Sequence, residues 1–418
     1  MEYQTFSRHG LTKVLRKSDF LNIPKSSQEA YRESLINDSI SSAQTKFNGS
    51  NLSLSSFELK GNLVFKLDHQ AHTIVERKIT YNLRRACQIQ APNRTNIIGN
   101  LKLFLREGVP CRVYRLDIKK FYESFSYIHI CKEVDSLYKL SPHSKILIKH
   151  ILTKHQSLGG RGTPRGLPLS SCISELMMKD FDSQIRNSSN TFFYSRYVDD
   201  IIIITSGSED RNEFLKYIKT LLPHGLDFNY NKLEISDKIN SVGKVSDVSP
   251  KKVVIKFEYL GYKIIVSDPY KSSKNNKQRV VDVDIATKKA KKYKLRITRS
   301  FYDFLKTKDI NLLKDRIKYL TNNFRVYNVH IEKTKLAGIY HNYPEIQLEA
   351  KNLKELDHYL RGIVLTRNRR IGRFLNPLLN GKIKRELLQN SFLKGHSEKR
   401  FIHFSALRIA EIKKCWEY

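Results

Sequence analysis

Two adjacent aspartates followed by four consecutive isoleucines, Asp199-Asp200-Ile-Ile-Ile-Ile204, restrict this chain more than any other feature. A run of β-branched apolar residues favours an extended strand. Phe192–Tyr194 lies upstream at hairpin distance, so the two segments read as antiparallel strands joined by a tight turn around Val198–Asp200. That turn presents carboxylates at its tip. A solvated surface turn accounts for an isolated Asp-Asp pair, but not for one bracketed by Tyr197 and four isoleucines. A second strand-like segment, Cys111–Leu116, ends on a further aspartate, Asp117. Carboxylates converging from separate strands can surround two divalent cations, which a single segment cannot. Asp117, Asp199 and Asp200 are therefore candidate metal ligands, with Asp200 the weaker third and the main-chain carbonyl of Ile118 completing the set.

The charge balance points the same way. Lys and Arg number 75 against 41 Asp and Glu, a formal net charge of +34 that the chain cannot neutralise internally, so a polyanionic partner is expected. The cations are spread along the whole chain, whereas a membrane-surface anchor would concentrate them on one amphipathic helix. With 418 residues, 40% hydrophobic and 11% aromatic, the chain can bury a large core arranged in two or three structural units. The five cysteines are an odd number, widely separated, without a Cys-x-x-Cys pair or a His at zinc spacing. They read as reduced structural thiols of a cytoplasmic protein. Met1 to Phe20 is broken by charges every few residues, which excludes a signal peptide or a membrane span there.

Along the chain, residues 1–60 carry a serine-rich stretch, Ser39 to Ser56, and read as a helical lead-in or a specialised arm. From Asn62 to Gln90 short apolar runs alternate with basic residues. Arg94 to Leu105 reads as a helix, with Ile97, Leu101 and Leu105 four apart. A helical stretch from Ile128 to Ile151 precedes the Gly/Pro-rich segment Leu158–Pro168, and Ser170 to Arg186 reads as one amphipathic helix. Glu209 to Leu222 reads as a helix, and Leu226–Ile235 and Val253–Val266 as strands separated by a polar loop. Beyond Asp282 long basic helices are expected, opening with Lys288, Lys289, Lys291, Lys292, Lys294 and Arg296.

Tyr197-Val-Asp-Asp200 resembles the tyrosine-x-Asp-Asp box of reverse transcriptases, and the other blocks of that family follow in the same order. Gly162-Thr-Pro-Arg-Gly-Leu-Pro-Leu-Ser-Ser171 is similar to its Pro-Gln-Gly-x-x-x-Ser-Pro segment, departing at Arg165, where the family has Gln, and at Ser171, where it has Pro. The resemblance makes Arg165 and Gly166 nucleotide-binding residues. Leu226-Asp-Phe-Asn-Tyr-Asn-Lys-Leu-Glu234 resembles the next block and gives Lys232 the task of protonating pyrophosphate. Phe257-Glu-Tyr-Leu-Gly-Tyr-Lys-Ile264 resembles the primer grip, with Leu260, Gly261 and Tyr262 carrying the match. Tyr122, five residues after Asp117, stands where the family keeps a bulky side chain under the sugar. Phe121 beside it is the alternative gate or a core residue. Lys78, Arg84, Arg85 and Arg94 are candidates for the triphosphate, with Arg94 favoured.

The resemblance covers about residues 75–266. It implies an α+β right-hand polymerase fold with fingers (61–116), an antiparallel palm (117–266), an α-helical basic thumb or C-terminal domain (267–418) and an N-terminal extension (1–60). It also implies an RNA-directed DNA polymerase using two Mg²⁺ ions, with Mn²⁺ as the alternative metal. Implied partners are an RNA template, in the form of a structured non-coding RNA, its DNA product and a second reverse transcriptase in a hetero-oligomer, with no membrane. No acidic set of an RNase H and no HNH-like cluster follows Ile265, and the Val-Thr-Gly segment of retron enzymes is missing. Asp117-Ile-Lys-Lys-Phe-Tyr-Glu-Ser124 and Ser174-Glu-Leu-Met-Met-Lys-Asp-Phe-Asp182 look like the bacterial defence-associated enzymes, closest to the first enzyme of the two-polymerase type 3 system. Two rivals stand beside this reading. An RNA-dependent RNA polymerase shares the palm, but Tyr122 argues against it. A non-catalytic, maturase-like RNA-binding protein keeps the fold, but the intact carboxylates and Lys232 argue against it.

Overall fold

Leu54–Leu59 (β1) and Asn62–Leu67 (β2) form an antiparallel hairpin, and Arg112–Asp117 (β3), Thr191–Tyr197 (β4), Asp200–Thr205 (β5) and Glu234–Ile235 (β6) form a four-stranded sheet. The structure is a computed structural model that describes residues 2–47, 52–59, 61–90, 92–240, 252–268, 278–328, 333–347, 350–366 and 370–417. The sheet order is β4-β5-β3-β6, antiparallel throughout. The isoleucine run is the inner strand β5, and Ile201, Ile202, Ile203 and Ile204 are all buried, as a continuous apolar run requires of a strand covered on both faces. Ile201 and Ile203 join one core with Ile74, Ile79, Ile148, Ile173 and Phe181, supplied by helices Gln70–Ala86, Pro142–Ser157, Pro168–Met177 and Lys179–Arg186. Each such side chain contributes about 1.5–3 kcal/mol by leaving water.

The chain divides into two compact units, Met1–Pro92 with Cys111–Ile239, and Asn93–Pro110 with Asn240–Tyr418. The N-terminal residues are helical at Arg8–Thr12 and Gln28–Gln44, and Phe6, Leu11, Leu35, Ala43 and Phe47 belong to the core of the first unit. They are a built-in part of it rather than an appended arm. Part of the serine-rich stretch and most of the polar loop before Val253 lie outside the described residues.

Three expected elements differ in detail. The helical stretch 128–151 is two helices, Tyr127–Ser136 and Pro142–Ser157, because Pro142 opens a new first turn and Ser141 caps it by accepting the Ser144 N–H at 3.2 Å. Ser170–Arg186 is likewise divided at Met178 into Pro168–Met177 and Lys179–Arg186. The strand read over 226–235 is reduced to a bridge at Phe228 and the two-residue β6. The intervening Asn-Tyr-Asn run takes a 3-10 turn at Tyr230–Lys232, closed by the Lys232 N–H donating to the Asn229 carbonyl at 2.9 Å.

In the second unit, Val253–Tyr259 (β7), Tyr262–Ser267 (β8) and Val280–Ile285 (β9) form an antiparallel sheet. The basic helix Thr287–Thr307 follows and packs on Ile310–Thr321 and Lys351–Leu365, and Ile297, Phe301, Leu313, Ile317, Leu356 and Leu360 of these helices are buried. This region is mainly helical but also holds a small sheet of Asn323–Asn328 (β10), Lys333–Gly338 (β11) and Phe401–Ile402 (β12). The fold class is α+β. Among the described residues no helix is long and apolar enough to cross a membrane.

Candidate active site

Strand pairing assembles the carboxylates. Asp117, the last residue of β3, is the register partner of Asp200, the first residue of β5, which places their Cβ atoms roughly 4.5–5.5 Å apart. Tyr197 and Asp200 also pair, so β4 and β5 are joined by Val198 and Asp199 alone. A two-residue hairpin of this kind needs a positive φ, and Val198 supplies it at +61°. For a β-branched residue that conformation costs about 1–2 kcal/mol. The Ile118 N–H donates to the Asp199 carbonyl at 3.1 Å, and the Asn229 N–H to the Asp117 carbonyl at 2.7 Å, so backbone bonds fix the end of β3 on both sides.

The Asp117 side chain is almost fully buried. Its Oδ1 accepts from Lys232 Nζ at 2.8 Å and its Oδ2 from Asn229 Nδ2 at 3.0 Å. Burial raises the Asp199 carboxyl above its ordinary range, and the charge of Asp117 adds to this. Asp200 is pushed up to about 6, first by burial and then by Asp199 and Asp117. The hydrogen bond to Asp117 holds the Lys232 ammonium above its usual range, against a smaller opposing effect of burial.

Among the described residues no three His, Cys, Asp or Glu side chains are already drawn into metal-holding geometry. Lys232 and Asn229 take up the oxygens of Asp117 instead. The donor chemistry nonetheless fits a hard divalent cation. Two of the three carboxyls are raised, first by burial and then by a neighbouring aspartate, the condition a cation relieves, and the ammonium on Asp117 marks where positive charge is favoured.

Tyr122 lies on the short helix Phe121–Ser124. Its ring sits 5.3 Å from the Arg165 guanidinium, which pairs with Glu123 at 2.6 Å and 3.1 Å. With Gly166, Leu167, Pro168, Ser170 and Ser171 these two side chains line a cavity of about 270 Å³. Two glycines make the Gly/Pro segment possible. Gly162 has φ +66°, and a Cβ there would stand 2.1 Å from the Tyr122 carbonyl oxygen. Gly166 has φ +109°, and its Cβ would stand 2.4 Å from the Phe65 carbonyl oxygen. The Thr163 N–H donates to the Tyr122 carbonyl at 2.8 Å, and the Phe65 N–H to the Arg165 carbonyl at 2.7 Å, tying the segment to both neighbours.

The other sequence candidates fall elsewhere. Phe121 is buried against Phe125 and Tyr122, in the core. Lys78 corrects an expectation: only 1% exposed, it donates from Nζ to the Tyr3 carbonyl at 2.6 Å, and burial lowers its ammonium to about 8. It cannot reach a triphosphate without leaving that core. Arg84 and Arg85 are exposed, and Arg85 lies 4.3 Å over the Tyr3 ring. Arg94 belongs to the second unit, where it donates to the Asn342 carbonyl and lies 5.0 Å and 5.1 Å over the Tyr262 and Tyr343 rings. Leu260 and Gly261, with φ +46° and +82°, form the tight β7–β8 turn, and Tyr262 is fully buried.

Sequence reading overlooked Asn229 and Arg196. Asn229 lies in the same polar run as Lys232 and three residues before it, a spacing that offered a signal. Arg196 stands next to the Tyr197–Asp200 box, but its ion-pair partners come from distant helices that no local pattern connects.

Residues 72–264 match the family model described as Reverse transcriptase (RNA-dependent DNA polymerase). No curated protein matches the sequence at a significant level. Among solved structures, apo telomerase from Candida tropicalis, truncated from its C-terminal domain, aligns at 18% identity over 46% of this chain and 43% of its own, with a TM-score of 0.32. Telomerase from Candida albicans in complex with a TWJ fragment of telomeric RNA aligns at 13% identity over 82% of this chain and 53% of its own, with a TM-score of 0.34. The chain thus spans about half the length of these structures. The likeness to the reverse transcriptase family thus lies within residues 72–264, the segment that holds Asp117, Asp199, Asp200 and Lys232.

Proposed function

We propose that the protein is an RNA-directed DNA polymerase in which Asp117, Asp199 and Asp200, with the Ile118 carbonyl, hold two divalent ions, Mg²⁺ or Mn²⁺. The observation that carries this reading is the pairing of Asp117 with Asp200 across β3 and β5, with Asp199 in the adjoining turn. Bound there, the ions would activate a primer 3′-oxygen and neutralise the leaving pyrophosphate. The chain supplies the rest. Lys232, cationic and beside Asp117, gives a proton to the pyrophosphate. Tyr122 lies under the sugar and excludes a 2′-hydroxyl, while Arg165 and Gly166, in the same cavity, meet the incoming nucleotide. Arg94 remains the candidate for the triphosphate, and Leu260, Gly261 and Tyr262 for the primer grip.

On this reading the fingers span 61–116, the palm 117–266 and the thumb 267–418. Helix Arg94–Arg106 and hairpin β7–β8, which that division assigns to fingers and palm, belong to the second compact unit. The net charge of +34 supports a template held largely through its phosphates. Likeness of Asp117–Ser124 and Ser174–Asp182 to defence-associated enzymes supports a bacterial antiphage role in the cytoplasm, with a structured non-coding RNA and a second reverse transcriptase as partners.

The test is incubation of purified protein with Mg²⁺, an RNA template-primer and labelled deoxy- or ribonucleotides. DNA product supports the reading. RNA product alone would favour an RNA polymerase, and no product a non-catalytic RNA-binding protein.

A further inference from the structure

Arg196 lies in β4, one residue before the Tyr197–Asp200 box, with a side chain only 3% exposed. Its guanidinium uses all five of its N–H donors. Nε donates to Asp182 Oδ1 at 2.8 Å, Nη1 to Glu175 Oε1 at 3.1 Å and to the Val198 carbonyl at 3.0 Å, and Nη2 to Glu175 Oε2 at 2.7 Å and Asp182 Oδ2 at 2.8 Å. Glu175 belongs to helix Pro168–Met177 and Asp182 to helix Lys179–Arg186. Asp182 Oδ1 also accepts from the Tyr194 hydroxyl at 2.6 Å. The fork therefore ties two helices of the core to the carbonyl of Val198, the residue whose φ of +61° a β-branched side chain disfavours. Such backbone strain persists only where the surroundings enforce it.

We infer that Arg196 is a positioning residue: by holding the Val198 carbonyl it keeps the turn left-handed and so sets the direction in which Asp199 and Asp200 face the cation site. The inference rests on the polymerase reading for what the aspartates hold. Charge alone does not do this work, because a lysine would compensate Glu175 and Asp182 but cannot present a planar fork to three acceptor groups.

The experiment measures Mn²⁺ binding by the electron paramagnetic resonance of free Mn²⁺, without nucleotide, next to thermal unfolding and steady-state incorporation. Arg196→Lys should unfold cooperatively, bind Mn²⁺ about 10–100-fold more weakly and lose kcat with the nucleotide KM unchanged. Asparagine tolerates the left-handed region, so Val198→Asn added to Arg196→Lys should restore part of the Mn²⁺ affinity. Wild-type Mn²⁺ affinity in Arg196→Lys, or no gain in the double variant, would overturn the inference. If Arg196→Lys does not unfold cooperatively, Val198→Asn alone decides: a melting temperature raised by about 2–4 °C supports the held strain, and a lowered one overturns it. Asp199→Asn separates the two ideas. Its loss of Mn²⁺ binding beside an unaffected Arg196→Lys would sink the inference alone, whereas unchanged binding in Asp199→Asn would sink the reading of the carboxylates and this inference with it.

Discussion

Asp117 and Asp200 face each other as register partners across β3 and β5, and in the absence of a cation the buried Asp200 carboxylate opposes folding. Asp200 is pushed up to about 6 by burial and by the neighbouring Asp199 and Asp117. A carboxyl raised in the folded state destabilises that state fully above its folded pKa, and not at all below its unfolded value near 4. Asp200→Asn removes the charge. In chelator at pH 8 this variant should therefore melt above wild type, and the difference should shrink as pH falls from about 6 towards 4. Mg²⁺ should raise the wild type more than the variant. Equal melting at pH 8 in chelator would show that the site is not electrostatically strained.

Lys232 makes its contact at the site from a half-exposed position, 2.8 Å from Asp117 Oδ1. An ion pair with so exposed a partner adds only about 0–1 kcal/mol to stability, so Lys232→Ala should unfold close to wild type. As a general acid, by contrast, Lys232 should account for roughly 10²-fold or more in kcat. Single-turnover incorporation measures this, and a rate within a few-fold of wild type would remove the acid role.

Tyr122 and Phe121 are neighbours in sequence with opposite expected consequences. Tyr122 lines the cavity beside Arg165, so Tyr122→Ala should raise the ratio of ribo- to deoxynucleotide incorporation with DNA synthesis preserved. Phe121 is 3% exposed and packed against Phe125, so Phe121→Ala should leave that ratio alone and cost about 3–5 kcal/mol of stability. An unchanged ratio in Tyr122→Ala would place the gate elsewhere.

What could be read from the sequence follows from how local the determinants are. The Asp199–Thr205 segment was legible because four β-branched residues and an acidic pair specify strand and turn without outside help. Asp117 was legible because an apolar strand ends on it. Lys78 was not, since a lysine bound to the Tyr3 carbonyl inside a core looks in sequence like any surface lysine. The strand read over 226–235 failed because Asn229 bonds Asp117, a partner 112 residues away. Arg196 escaped for the same reason, its carboxylates lying 21 and 14 residues upstream on two helices. The merging of residues 6–47 into the core depends on tertiary packing that no periodicity reveals.

The central claim is that these carboxylates carry out templated DNA synthesis. The most direct measurement is single-deoxynucleotide extension on an RNA template by wild type, Asp117→Ala and Asp199→Asn, with the cooperative melt of each recorded alongside. Packed apolar strands such as β5 carry most of the stability, so all three proteins should fold. The wild type should extend the primer in Mg²⁺, and both variants should lose extension by three orders of magnitude or more, roughly what loss of an essential metal site entails. A folded Asp117→Ala or Asp199→Asn that extends the primer at the wild-type rate would contradict the account.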